Sequence, residues 1–358
     1  MSFIELGFAS RDSAINAECF QEHNWSEWDG GKVGGKPNWL HPLSLPSKAQ
    51  LLCDSCKKPQ AFMLQIYCPL DTEIDAFHRC LYVFCCRQRT CNGTSRFRAF
   101  RSQLPRDNPF YAFDSTTTKP FQPHPLNPTC CALCNISTDV SITCQECGFQ
   151  AHYCSELHRD AHFYGRNHPK SCSRRRESID HTDLLFPHFD IFIDSEPDPN
   201  TASTAQERQL LETYRKNREE CEDADDPFNN DSDIDITQLE LKRLLGNESP
   251  EDPQYIRFLT RIAMAKSQIL RYARWNNDDI LWVHSKGKCV ESVPSCPNCG
   301  AQRKFEFQIL PQLLFFLKID LEWGTLAIFT CEKSCQSSIC AEEFVFFQPP
   351  YSPQTHSQ

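Results

Sequence analysis

A mainly β protein with some α is the fold this sequence predicts: one β unit used twice to form a single body, with a smaller cysteine-rich module inserted between the copies. Three observations carry it. Cys53-x2-Cys56 is followed by Phe62, Gln65 and Ile66, and 243 residues later Cys296-x2-Cys299 is followed at the same offsets by Phe305, Gln308 and Ile309. A second cysteine pair closes each copy, Phe84-x-Cys86-x4-Cys91 in the first and Phe329-x-Cys331-x3-Cys335 in the second. The apolar runs around these cysteines are short and rich in β-formers: 62–67, 81–84, 305–309, 325–329 and 344–347.

Each copy has the ligands of a tetrahedral zinc site. A CxxC knuckle offers two thiolates from one turn, and a second pair brought close by folding supplies the other two. Paired knuckles argue against a thioredoxin-like redox motif, which uses a single CxxC. Cys85 and Cys86 compete for one ligand position. Neighbours on the strand Leu81–Cys86 face opposite sides, and Cys86 is the choice because it aligns with Cys331.

Along the chain, the N-terminus has no basic n-region and no long apolar stretch, so no signal peptide is expected. No run approaches the ~18 apolar residues of a membrane span. Twenty-two cysteines in a chain without a secretion signal favour zinc over disulfides, because the cytosol keeps thiols reduced. Gly30 to Lys36 fits the spacing of a phosphate-binding loop. However, Pro37 stands where that motif needs Ser or Thr and a continuing helix, so a turn in a β domain is expected. Six prolines between 105 and 129 read as an extended connector.

A third cluster follows: Cys131, Cys134, Cys144, Cys147, Cys154, His158, His168 and Cys172. Eight ligands in four pairs suit a cross-brace, with Cys131, Cys134, Cys154 and His158 on one zinc and Cys144, Cys147, His168 and Cys172 on the other. His162, one turn beyond His158, stays open as its substitute, and Cys130 is a lesser competitor for Cys131. The module is too short to bury much core without metal, and all its ligands are local. Arg174–Arg176 read as a solvated basic turn. Phe189, Ile191 and Ile193 then alternate as a strand that rejoins the sheet.

Residues 195–250 read as a flexible insertion, and nine of the 17 residues from Glu219 to Asp235 are acidic. Asp231-x-Asp233-x-Asp235 is no EF-hand, since Ile236 and Lys242 occupy the places that need Gly and Glu. Helices are expected over Thr237–Leu245 and Ile256–Tyr272, while Pro311–Leu317 is ambiguous between strand and helix. The expected organisation is an N-terminal β unit (1–126), the finger (127–173), a rejoining strand (174–194), the acidic insertion (195–252), a C-terminal β unit (253–350) and a tail (351–358). A formal net charge of −10 argues against general nucleic-acid binding and leaves room for a basic protein partner. No dinucleotide-binding glycine pattern, HExxH or nucleophile motif is present, so no enzyme and no catalytic residue is expected.

Two resemblances add to this reading. The central cluster, with Tyr153-Cys154-Ser155, resembles the MYND zinc finger, a family that usually has cysteine where this chain has His158. Over Glu5-Leu6-Gly7-Phe8 to Glu343-Phe344-Val345 the chain resembles the programmed cell death protein 2 family. The carrying motifs include Gly34-Gly35-Lys36-Pro37-Asn38-Trp39-Leu40, Phe77-His78-Arg79, Arg101-Ser102-Gln103-Leu104-Pro105-Arg106, Gln268-Ile269-Leu270-Arg271-Tyr272 and Trp323-Gly324-Thr325-Leu326. Lys57 departs from the glycine that often follows the first knuckle, and 195–250 match nothing.

The family resemblance implies a dedicated chaperone for a newly made, basic small-subunit ribosomal protein (the uS-five type) in 40S ribosome biogenesis. The finger resemblance implies a protein-interaction module for proline-containing peptides. The alternative is a transcription- or apoptosis-linked adaptor. The expectation is four zinc ions, no membrane and no direct nucleic-acid contact, in the cytoplasm, with the nucleus left open as a second compartment.

Overall fold

The computed structural model describes residues 4–10, 31–91, 93–110, 130–162, 171–173, 184–196, 252–288, 293–337 and 340–351. Ten strands close into one antiparallel barrel. In chain order they are β1 (Glu5–Ser10), β2 (Gly31–Val33), β3 (Ala61–Tyr67), β4 (His78–Cys85) and β5 (Phe97–Leu104), then, beyond the finger, β8 (Phe189–Ser195), β9 (Gln268–Tyr272), β10 (Arg303–Ile309), β11 (Thr325–Cys331) and β12 (Ala341–Gln348). The finger contributes β6 (Ser141–Thr143), β7 (Gln150–His152) and α1 (Glu156–His162). Two more helices, α2 (Pro253–Met264) and α3 (Leu313–Leu317), lie in the C-terminal part.

Around the barrel the order is β1-β8-β2-β3-β4-β5-β12-β11-β10-β9. Thus β2-β3-β4-β5 and β9-β10-β11-β12 are two matching meanders. They meet along β5 and β12, where Arg101 faces Ala341 and Ala99 faces Glu343. The β1/β8 pair closes the other side. The match extends to an irregularity: the β3/β4 register shifts between Phe62 and Leu64, and the β10/β11 register between Phe305 and Phe307. One extra residue therefore bends each copy at the same offset from its knuckle, as a bulge does.

The buried glutamines at shared offsets have the same task. Gln65 Oε1 accepts from the Asn38 amide at 2.8 Å, and Gln308 Oε1 from the Leu281 amide at 2.7 Å. Each thereby pins the loop carrying Trp39 or Trp282 onto the outside of its own meander. A buried amide side chain must find such partners. The repeat thus includes strand β2 or β9 and the Trp loop, upstream of the knuckle.

One apolar cluster fills the barrel with side chains from β3, β4, β5 and β8 to β12, including Leu64, Val83, Ala99, Ile269, Phe307, Ile328 and Val345. Leu313 and Leu317 of α3 join it at one end. The outer face of the first meander (Phe62, Tyr82, Phe84, Phe100) packs with Trp39 and with finger residues Cys131, Leu133 and Ile136. On the second meander, Phe305 and Phe329 pack with Trp282, while α2 packs nearby on Leu281 and Val283.

The expected helix over 256–272 is corrected. The helix runs Pro253–Met264, started by Asp252, whose carboxylate accepts from the Gln254 amide at 2.8 Å. After a turn at Ala265, Gln268–Tyr272 is strand β9. Ile269 is buried as expected, but as a strand residue, because β1 and β10 offer ladder partners on both sides. The ambiguous 311–317 segment contains helix α3, and the helix expected over Thr237–Leu245 lies outside the described residues.

The segment 30–36 is strand β2 and a tight turn. Gly34 has φ +63°, and a Cβ there would lie 2.0 Å from the Pro187 carbonyl oxygen. No described helix is long and apolar enough to cross a membrane.

Candidate metal centres

Four turns of the chain have the same backbone. In each CxxC the first cysteine's carbonyl accepts from the amide four residues on: Lys57 to Cys53 (2.9 Å), Asn135 to Cys131 (2.8 Å), Gly148 to Cys144 (2.9 Å) and Gly300 to Cys296 (2.8 Å). The first cysteine's own amide donates to the carbonyl five residues on, at Lys58, Ile136, Phe149 and Ala301. The residue after the second cysteine is left-handed in every case, with φ of 58°, 56°, 72° and 72°. Glycine meets that need without strain. Lys57 and Asn135 adopt it too, so the missing glycine at Lys57 does not alter the knuckle.

Folding completes the donor sets. Cys53, Cys56, Cys86 and Cys91 gather at one barrel end, with sulfur separations of 3.8 Å (Cys53–Cys91) and 3.5 Å (Cys56–Cys86). Cys296, Cys299, Cys331 and Cys335 gather at the other, with 3.6 Å (Cys296–Cys335) and 3.5 Å (Cys299–Cys331). In the finger, Cys134 and Cys154 are 3.5 Å apart, and His158 Nδ1 lies 3.2 Å from Cys154 and 3.7 Å from Cys131. Cys144, Cys147 and Cys172 form the fourth cluster, with Cys144–Cys172 at 3.9 Å.

Four sulfurs at a zinc bond length of ~2.3 Å stand about 3.8 Å apart at tetrahedral edges. The observed spacings fit that figure and are far too long for disulfides. Each cluster could therefore hold a metal ion. Two of the expected residues need separate mention: His168 lies outside the described residues, and so does the side chain of His162.

The competing thiols go elsewhere. Cys85 is the last residue of β4 and points into the barrel, where burial pushes its thiol up to about 12. Cys86, one residue on, enters the cluster. Cys68, Cys130 and Cys340 are likewise raised to about 12 by burial and lie in no cluster. A thiol kept protonated at neutral pH is a packing group rather than a ligand.

Charged groups brace the clusters. The Lys36 ammonium donates to the Ala132 carbonyl at 2.7 Å, inside the first finger knuckle. Burial lowers its pKa, while Cys134 and Cys131 pull it back up. Trp39 Nε1 donates to the Asn135 carbonyl at 2.8 Å and Asn135 Nδ2 to the Pro37 carbonyl at 2.9 Å. The finger is thus welded to the first meander through its first knuckle.

At the C-terminal cluster the bracing comes from the other half of the barrel. Arg101 Nη2 donates to the Cys335 carbonyl at 3.1 Å, and Gln103 Nε2 to the Ser334 carbonyl at 3.0 Å. Arg79 Nε reaches Ser334 Oγ at 3.1 Å. Arg79 also spans the barrel to form a two-pronged pair with Glu306, at 2.5 and 2.7 Å, with neither side chain exposed. Tyr272 (2.8 Å) and Thr330 (2.5 Å) donate to the same carboxylate. Burial alone would raise Glu306, but the charge and hydrogen bonds of Arg79 win and hold it at about 2. Glu306 sits on the bulge of β10, where the first copy has Met63. That break in the repeat is the one sequence signal that could have singled it out.

Comparison with known proteins follows this geometry. The family model described as "Programmed cell death protein 2, N-terminal domain" matches residues 3–118, and "Programmed cell death protein 2, C-terminal putative domain" matches residues 252–349. The chain is 36% identical to the Bos taurus "Programmed cell death protein 2" over 344 residues, covering 90% of this chain and 92% of the relative. It is 26% identical to the Homo sapiens "Programmed cell death protein 2-like", covering 86% of each. A shorter stretch of 92 residues, 23% of each chain, is 30% identical to the Schizosaccharomyces pombe "Probable 20S rRNA accumulation protein 4". No solved structure matches the chain significantly.

Proposed function

As the chain belongs to the programmed cell death protein 2 family, we propose that it is a non-enzymatic zinc protein that holds a newly made, basic small-subunit ribosomal protein of the uS-five type and delivers it to 40S assembly. The observation that carries this reading is the partial similarity to a relative named for 20S rRNA accumulation. Charge supports it. A net charge of −10 suits a binder that shields a cationic client before RNA does. The same similarity favours this over a transcription-linked adaptor.

Four zinc ions fit the clusters, held by Cys53/Cys56/Cys86/Cys91, by Cys131/Cys134/Cys154/His158, by Cys144/Cys147/Cys172 with His168, and by Cys296/Cys299/Cys331/Cys335. Bound there, zinc supplies cross-linking rather than chemistry, because four protein ligands leave no position for a reacting water. The two best-formed cavities hold about 20 and 10 Å³, room for a water and not for a substrate. We read the central module as a MYND-type finger with a partner of its own, a proline-containing peptide.

The deciding experiment is affinity purification of the full chain from growing cells. Recovery of one free small-subunit ribosomal protein, without the mature 40S set, supports the proposal. Recovery of chromatin proteins instead overturns it in favour of the adaptor.

A further inference from the structure

The two meanders have covered outer faces, one under the finger and Trp39, the other under Trp282 and α2. The closing pair β1/β8 differs. β8 pairs with β1 over its whole length, from Asp190–Ser10 to Ser195–Glu5. On its other side it pairs with β2 only from Phe189–Val33 to Ile191–Gly31. Past Gly31, the four residues Phe192-Ile193-Asp194-Ser195 have no strand on that side among the described residues. All four are exposed, and Phe192 (53%) and Ile193 (51%) are among the chain's few exposed large apolar side chains.

An open strand edge carrying apolar side chains is something soluble proteins usually blunt with lysine, proline or a cover. Here it is kept, and pre-ordered. The Phe192 ring stacks on Phe8 with centroids 5.1 Å apart, so the apolar platform is fixed before anything binds. Strand alternation puts Asp190 and Asp194 on the face of Phe192, one on each side of it along the strand. Asp190 approaches His188 at 3.5 Å and Asp194 accepts from the Ser195 amide at 2.8 Å, yet both side chains face solvent at least in part.

We propose that this edge of β8 receives an extended, cationic protein segment as an added strand. Its backbone would pair with residues 192–195, an apolar side chain would rest on the Phe8–Phe192 platform, and lysine or arginine two residues to either side would meet Asp190 and Asp194. Charge complementarity selects a basic occupant. The chain leaving β8 also carries the acidic run Glu219–Asp235, which begins 24 residues past Ser195 and concentrates negative charge at this edge. The inference rests on the basic-client reading above and locates where that client is held.

The test compares the full chain with its Phe192→Ser/Ile193→Thr variant. Both replacements are at exposed positions, and threonine keeps the strand preference. The probe is the recombinant small-subunit ribosomal protein recovered by the purification above, with hydrogen exchange read on the β8 amides. The variant is expected to keep its zinc content and thermal midpoint and to bind about tenfold more weakly, as when an interface anchor is truncated. Amides of 192–195 should exchange fast in the free protein and slowly in the complex. The Asp190→Asn/Asp194→Asn variant should lose affinity at low salt and differ little at high salt.

Equal binding by a folded double variant overturns the edge and leaves the client reading standing. A wild-type chain that captures no ribosomal protein removes both. Amides 192–195 already protected in the free protein overturn the proposal as well. Concentration-independent protection would mean that the chain's own segment covers the edge, and concentration-dependent protection a second copy. Should the double variant fail to fold, the free-versus-bound exchange of the wild type decides alone.

Discussion

Glu306→Gln is the substitution with the largest calculable consequence. The carboxylate is fully buried, receives both prongs of Arg79, and is bonded by Tyr272 and Thr330. Its pKa is held at about 2 against a reference of 4.5, a difference of about 3 kcal/mol at neutral pH. An independent route gives a similar figure, since breaking a buried pair by removing one charge costs about 3–5 kcal/mol. The lower end applies here, because the glutamine oxygen still accepts from Arg79.

The sign follows from the direction of the shift. A depressed folded pKa stabilises fully above pH ~4.5 and is lost as pH falls toward ~2. The measurement is urea unfolding of the zinc-loaded protein at pH 7, followed by tryptophan fluorescence. Arg79→Met/Glu306→Met should recover more than half of the loss, since a buried pair replaced whole by apolar groups is close to neutral. A single variant within ~1 kcal/mol of wild type, or a double variant as unstable as the single, would refute the argument that this pair ties the barrel together across its interior.

Other expectations follow from the same geometry. Elemental analysis of fresh protein should give four zinc ions per chain, and two or fewer would mean that some of the cysteine clusters do not hold metal. Cys131→Ser should red-shift tryptophan emission, because Trp39 donates to the Asn135 carbonyl of that knuckle. Cys147→Ser, at an exposed ligand, should leave the emission near wild type, and identical spectra for the two would show that the finger does not brace the first meander. Gly34→Ala should cost on the order of 2 kcal/mol in urea unfolding, from a Cβ driven onto the Pro187 carbonyl at positive φ, and an unchanged midpoint would contradict the tight turn. Neutralising the carboxylates from Glu219 to Asp235 should slow client association at low salt in stopped flow, and little at physiological salt, where the Debye length is about 8 Å.

Much of this was legible in the residues. Ligand spacing fixes the knuckles, since a CxxC turn is a local structure, and the offsets from Cys53 and Cys296 to Phe62 and Phe305 reflect one bulged strand used twice. The choice of Cys86 over Cys85 followed from strand alternation, and the structure places Cys85 in the barrel and Cys86 in the cluster. Local rules failed where a segment's partners lie far along the chain. Ile256–Tyr272 has helical periodicity throughout, yet Gln268–Tyr272 becomes a strand because β1 and β10, remote in sequence, offer ladders on both sides.

The finger looked separable because all its ligands lie within 131–172. Only the fold puts Trp39, 96 residues before Asn135, against its first knuckle. The same holds for Arg79 and Glu306, 227 residues apart, each unremarkable on its own strand. By itself the sequence determined what short-range geometry can encode: ligand pairs, strand faces and the repeat. Barrel closure, the buried charges that cross it and the open edge of β8 were decided by the tertiary structure, because each depends on which distant segments meet.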